Sequence, residues 1–107
     1  MATIREHPIP TPGSRPYIIT NGPDGNLWFC ESGVSKIGRL SPDDGTITEF
    51  GIPTPDSQPV GIITGADGNL WFTEYAAHKI GRITPEGEIT EFPLPTPNAG
   101  PNGIILG

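Results

Sequence analysis

Sulfur, positive charge and long apolar runs are what this sequence has least of. It carries one cysteine, Cys30, and one methionine in 107 residues, so no intrachain disulfide can form and nothing calls for an oxidising compartment. Lysine and arginine number 6 against 12 acidic side chains, for a net charge of -6. That balance is the reverse of the basic footprint selected by a phosphate backbone, and it excludes nucleic acid as a partner. Only 34% of residues are hydrophobic, and no run approaches the roughly 18 apolar residues of a membrane-spanning helix. Neither an integral membrane protein nor a helical bundle is expected. The first residues lack the basic and apolar regions of a secretory signal, and the expected location is the cytoplasm.

What the sequence does have is 15 glycines and 14 prolines, a proportion that marks low complexity unless it is periodic. Here it is periodic. At an offset of 43, residues 12–42 align with residues 55–85, and 17 of the 31 positions are identical. DGNLWF at Asp24 to Phe29 recurs at Asp67 to Phe72, and KIGR at Lys36 to Arg39 recurs at Lys79 to Arg82. ITEF-x-IPTP at Ile47 to Pro55 returns at Ile89 to Pro97, with a degraded copy at Ile4 to Pro12. A repeat of about 40 to 45 residues, cut by turn signals and free of helical periodicity, is the signature of a β-propeller blade. The fold class is therefore all-β, built from four-stranded antiparallel blades.

Four strands are expected per unit. Strand A covers Tyr17 to Thr20 and Val60 to Thr64, and strand B covers Asn26 to Glu31 and Asn69 to Glu74. Strand C covers Ser35 to Leu40 and His78 to Ile83, and strand D covers Thr46 to Phe50 and Glu88 to Phe92. Asp24-Gly25 and Asp67-Gly68 read as primed hairpin turns. The three apolar residues in each strand B call for burial on both faces, with Trp28 and Trp71 as blade core. The prolines at 53, 55, 95 and 97 stiffen the D-to-A connectors. Residues 1–12 are then an outer strand D and connector, 13–55 a first blade, 56–97 a second, and 98–107 strand A of a third. Closed propellers use about four to eight blades, so the expectation is an incomplete ring closed by association with copies of itself.

The units RPYIITNGPDGNLWFCESGVSKIGRLSPDDGTITEF and QPVGIITGADGNLWFTEYAAHKIGRITPEGEITEFPLPTP resemble the blades of the streptogramin B lyases, also called virginiamycin B lyases. The resemblance runs over essentially the whole chain. It implies seven-bladed propellers that open a cyclic depsipeptide antibiotic by elimination, with a magnesium ion. It also implies a catalytic histidine directly after the proline that opens strand A. The matching positions here are Tyr17, Val60 and Asn102, and none is histidine.

Strand direction puts the D-to-A connectors and B-to-C loops at one end, which gathers Tyr17, Val60, Asn102, Glu31, Glu74 and His78. Tyr17 and Asn102 are the candidate contacts for a small or peptidic ligand, because a phenol ring packs and its hydroxyl donates. Glu31 and Glu74 are the candidate magnesium ligands, a hard cation taking one or two carboxylates and several waters. Their bland reading is a cross-strand ion pair with the basic residues of strand C. His78, where the family pattern usually has Asn, is the weak candidate for a base; its bland reading is a solvated loop residue. His7 reads as cover for a blade edge, and Cys30 as buried and inert. The leading expectation is a non-catalytic, self-assembling module that needs no cofactor. The alternatives are a magnesium-dependent lyase and a truncated or engineered fragment without a function of its own.

Overall fold

The computed structural model describes residues 9–10, 12–13 and 15–94. It contains eight strands: β1 (Pro16–Asn21), β2 (Leu27–Glu31), β3 (Lys36–Leu40), β4 (Ile47–Gly51), β5 (Pro59–Thr64), β6 (Leu70–Glu74), β7 (Lys79–Ile83) and β8 (Ile89–Pro93). They form two antiparallel sheets in simple meander order, β1 to β4 and β5 to β8, each a propeller blade. The expected strand A of a third blade lies outside the described residues, as does most of the N-terminal strand.

The repeated GxDGNLW motif has a local cause. Gly22 and Asn26 close the hairpin, with Gly22 N–H donating to Asn26 O at 2.8 Å, and Gly25 N–H donates to Gly22 O at 3.3 Å. Gly25 and Gly68 have φ of 84° and 80°, while neither Asp24 nor Asp67 has positive φ. The turns are thus type I followed by a left-handed glycine, not the primed turns expected from Asp-Gly. Pro23 suits the first central position of the turn that forms, because its ring fixes φ near -65°, and Ala66 takes the same position in the second blade with the same hydrogen bonds. Asp24 Oδ1 then accepts from Asn26 N–H at 3.1 Å and from the Trp28 indole N–H at 3.0 Å. Asp67 does the same for Asn69 and Trp71, each at 3.1 Å. The turn carboxylate orients the tryptophan.

Side chains alternate along each strand, giving each blade two faces. The front carries Phe29 or Phe72, and the back carries Trp28 or Trp71. On the front, the Phe29 ring lies directly on Gly38, and Phe72 on Gly81, where a Cβ would collide with the ring. This close approach explains the glycine in KIGR. On the back, Trp28 stacks on Phe50 at 5.7 Å and the Arg39 guanidinium lies 5.3 Å from the Phe50 ring.

The core sits between the blades. Trp28, Cys30, Ile37 and Ile52 of the first blade bury themselves against Ile62, Leu70, Phe72 and Ile83 of the second, with Phe50 and Ile89 at the margin. Arg39 Nη1–H donates to Pro85 O at 2.9 Å across this seam, and the Thr64 hydroxyl donates to Asn21 O at 2.6 Å. Burial of strand B on both faces holds less evenly than expected: Trp28 is 0% exposed, whereas Trp71 is half-buried.

Replacing Asp24 by alanine leaves the indole N–H of a buried tryptophan without its acceptor and should cost about 1–3 kcal/mol. Asp67→Ala should cost less, since Trp71 has solvent beside it. Urea unfolding of the two variants checks the order; equal losses would refute the role assigned to the turn carboxylate.

Candidate ligand site at the connector end

The connector into the second blade reaches its end through unusual backbone. Asp56 and Gln58 have φ of 54° and 51°, matching Gly13 at 73° and Arg15 at 48° one repeat earlier. Non-glycine residues pay a steric cost there. Hydrogen bonds hold the shape: Tyr75 N–H donates to Gln58 O at 3.1 Å, Ala76 N–H to Ser57 O at 3.0 Å, and Ser32 N–H to Arg15 O at 3.1 Å. Ser57 N–H donates to Ser35 Oγ at 3.0 Å, tying the connector to the first blade's β2–β3 turn. The pairing of β1 with β2 shifts register between Pro16 and Ile19, and that of β5 with β6 between Pro59 and Ile62. Such a bulge re-aims side chains at a sheet edge.

Between these connectors lies a polar groove of about 310 Å³ lined by Gly13, Arg15, Ser32, Gly33, Ser35, Asp56 and Gln58. It offers one cation, one carboxylate, an amide and two hydroxyls within a small space. That set suits a ligand rich in amide and ester groups.

Beneath the connector end, each blade contains a pair of carboxyl groups. Glu31 is 0% exposed, as is Glu74, and neither oxygen of either group accepts a hydrogen bond from an N–H or hydroxyl. Register places Glu49 opposite Gly38 and Glu91 opposite Gly81, on the same front face. The bare glycine leaves room for two carboxyls to meet across the middle strand. Burial, then the hydrogen bond to Glu49 and its charge, push the Glu31 carboxyl up to about 8 against the opposing pull of Lys36. Glu74 is pushed up to about 8 for the same reasons beside Glu91 and Lys79. Burial works against ionisation of Glu91 too, yet hydrogen bonds from Glu74 and Thr54 hold it below the usual range. Each pair therefore keeps one proton at neutral pH.

The lysines complete these clusters. Lys36 faces Glu31 across the ladder, where its charge acts on that carboxyl, and pairs with Glu49 at 4.0 Å. Lys79 pairs with Glu91 at 3.9 Å and donates to Thr54 Oγ1 at 2.9 Å. Glu49, Glu91 and Thr54 were missed at the sequence level, although a second glutamate recurs in each ITEF and a threonine in each PTP.

The remaining candidates are scattered. Tyr17 falls in β1 at the register shift. Asn102 and His7 lie outside the described residues. His78 is the left-handed residue of the β6–β7 turn, with φ of 55°, and its carbonyl accepts from Leu94 N–H at 3.1 Å. Ser35 does the same one repeat earlier, with φ of 56° and an acceptor bond from Ile52 N–H at 2.9 Å. The turn conformation explains why asparagine suits this position. Cys30 is buried, and burial pushes its thiol up to about 12, so it is unreactive. A magnesium ion does not fit Glu31 or Glu74: it keeps several waters, while these carboxyls are enclosed and hold a proton. Among the described residues, no three His, Cys, Asp or Glu side chains converge.

Residues 1–107 match the model of the virginiamycin B lyase family. A virginiamycin B lyase of Saccharopolyspora erythraea is 58% identical over 39 residues, covering 36% of this chain and 13% of that protein. A solved streptogramin B lyase superposes with a TM-score of 0.95 at 48% identity, over 98% of this chain and 35% of its own. The virginiamycin B lyase of Staphylococcus aureus gives 0.95 at 55% identity, over 98% and 36%. A catalytically inactive variant of that enzyme, solved with quinupristin, gives 0.93 at 56% identity, also over 98% and 36%. The chain thus spans little more than a third of the length of these structures.

The buried pairs set the pH dependence. Folding favours the protonated carboxyl, so the folded chain binds more protons than the unfolded chain between about pH 4.5 and 8. Stability should fall as pH rises through that window and level off above it. Glu31→Gln keeps a donor for Glu49 without the titration. It should raise stability at pH 9 by about 1–3 kcal/mol and flatten part of the slope. Thermal unfolding from pH 4.5 to 9 measures both, and stability rising across the window would contradict the assignment.

Proposed function

The chain belongs to the virginiamycin B lyase family, and on that premise we propose that it is a non-catalytic propeller module that assembles with copies of itself. It takes a small or peptidic ligand in the groove at the connector end. The observation that carries the reading is the groove itself, built from both blades and shaped by connectors whose positive φ values are held by hydrogen bonds. Its mix of Arg15, Asp56, Gln58, Ser32 and Ser35 matches the amide and ester groups of a cyclic depsipeptide. Quinupristin, present with one of the similar structures, is the natural probe.

Lyase chemistry needs a base that removes a carbon-bound proton. The positions after the strand-opening prolines hold Tyr17 and Val60, and His78 is committed to a turn. Family membership nevertheless makes elimination the second reading, with His78 as its base. In that reading the cation would have to be held by groups other than enclosed Glu31 and Glu74.

Titrating quinupristin into labelled protein should shift amide signals of Ser32, Gly33, Asp56 and Gln58, and Arg15→Ala should weaken binding about three- to tenfold, the range of one charge-assisted hydrogen bond at a wet surface. Mass spectrometry of the recovered ligand should show an intact ring with magnesium and with EDTA. Ring opening that is lost with EDTA would establish the lyase reading, and its loss in His78→Ala would place the base. Shifts confined to other surfaces would refute the groove.

A further inference from the structure

The carboxyl cluster of the second blade and one wall of the groove are held by the same short stretches of chain. Glu74 ends β6 and Lys79 opens β7, so both flank the β6–β7 turn. That turn supplies the amides of Tyr75 and Ala76, which donate to Gln58 O and Ser57 O at 3.1 and 3.0 Å. From the cluster itself, Lys79 Nζ donates to Thr54 Oγ1 at 2.9 Å. Thr54 in turn donates to the Glu91 carboxylate through its hydroxyl and its backbone N–H. The connector is thus pinned at Thr54, Ser57 and Gln58, on both sides of Asp56. Asp56 and Gln58 line the groove in left-handed conformations, which persist only where the surroundings hold them.

One ammonium serves two carboxyls here. Glu74 is enclosed, and neither of its oxygens accepts from an N–H or hydroxyl. Lys79 lies opposite it in the ladder, yet its ammonium sits 3.9 Å from Glu91 and bonds Thr54. With a proton on Glu74, one carboxylate and one ammonium balance, and the lysine keeps a hydrogen for Thr54. Without that proton, two enclosed carboxylates compete for the same ammonium. Among the described residues, Lys79 and Glu91 are the charges that act on Glu74. β5 brings only Pro59 opposite it. The back of the first blade brings Cys30, whose thiol is pushed up to about 12, and Arg39, engaged with Pro85 O and the Trp28 ring. His78 on the turn and Asp56 on the connector complete the titratable neighbours.

We propose that this cluster is a proton-operated latch: loss of the proton shared by Glu74 and Glu91 draws Lys79 off Thr54, frees the connector and weakens ligand binding in the groove. The proton passes to solvent and the lysine stays charged. A ligand that needs the held wall favours the protonated cluster, so binding and proton retention reinforce each other. The sign follows from Glu74, which is pushed up to about 8: the latch is closed below that pH and opens above it. The inference rests on the groove reading above and adds its regulation.

The test begins without ligand. Carbon-13 NMR follows the Glu74 carboxyl from pH 6 to 10, and amide signals of Thr54, Asp56, Ser57 and Gln58 follow the connector. A His78→Asn chain is used, because histidine is the side chain that ordinarily titrates in the lower part of this range. Carboxyl and connector should share one midpoint, while the amides of Asn26 and Asn69, at the opposite end of the blades, should not follow. Glu74→Gln should abolish the connector transition, and Glu31→Gln, the same change in the first blade, should leave it in place. Quinupristin affinity should then fall about fivefold or more between pH 7 and 9 and become flat in Glu74→Gln. Circular dichroism checks folding; should Glu74→Gln unfold, Thr54→Val keeps both carboxyls, and its connector should no longer follow their titration. A connector that does not titrate with Glu74, or that still titrates in Glu74→Gln, overturns the latch, as does groove affinity independent of pH. Quinupristin binding elsewhere refutes the groove reading alone, and the ligand-free titration then decides the latch.

Discussion

Neither sheet has a core of its own. A four-stranded sheet of five- and six-residue strands can bury apolar side chains only against another layer, and here that layer is the next blade. The buried hydrophobic cluster lies at the seam, with Trp28 and Ile37 on one side and Ile62, Phe72 and Ile83 on the other. Everything else in the structure serves that contact. The turn aspartate aims the tryptophan at it, the glycine of KIGR lets the phenylalanine lie flat, and the arginine closes its outer rim through the Pro85 carbonyl.

The same constraint explains the polar interior. Wherever the phenylalanine covers a glycine, the space beyond it admits a glutamate from strand B and another from strand D. Two enclosed carboxyls beside one lysine cannot all be satisfied as ions, so one keeps its proton. In the second blade the cluster also grips the connector through Thr54, linking the electrostatics of the seam to the backbone that shapes the groove. The candidate site is thus a by-product of blade stacking: its walls come from two blades and its floor is fixed by their contact.

Much of the architecture was legible in the sequence because the repeat writes each contact twice. The strands lie within a residue or two of where DGNLWF, KIGR and ITEF place them, and the all-β propeller class followed from the period. The turn type was not legible from Asp-Gly alone, since only the glycine of the pair takes positive φ, and it does so with either Pro23 or Ala66 ahead of the aspartate. Lys36 opposite Glu31 was legible from the ladder, but the second carboxyl, Glu49, was not, because it comes from β4 across the bare Gly38. The groove was legible only as an end of the blade. The left-handed conformations of Arg15 and Gln58 run against residue preference and carry no sequence signal.

The central claim is that the seam between blades, not either sheet, is the cooperative unit. Native-state amide hydrogen exchange tests it most directly. The account predicts that the amides of β2, β3, β5 and β6 share the highest protection and respond together to denaturant, with β8 exchanging earlier. Two sheets that open separately, each with its own protection and denaturant dependence, would contradict it.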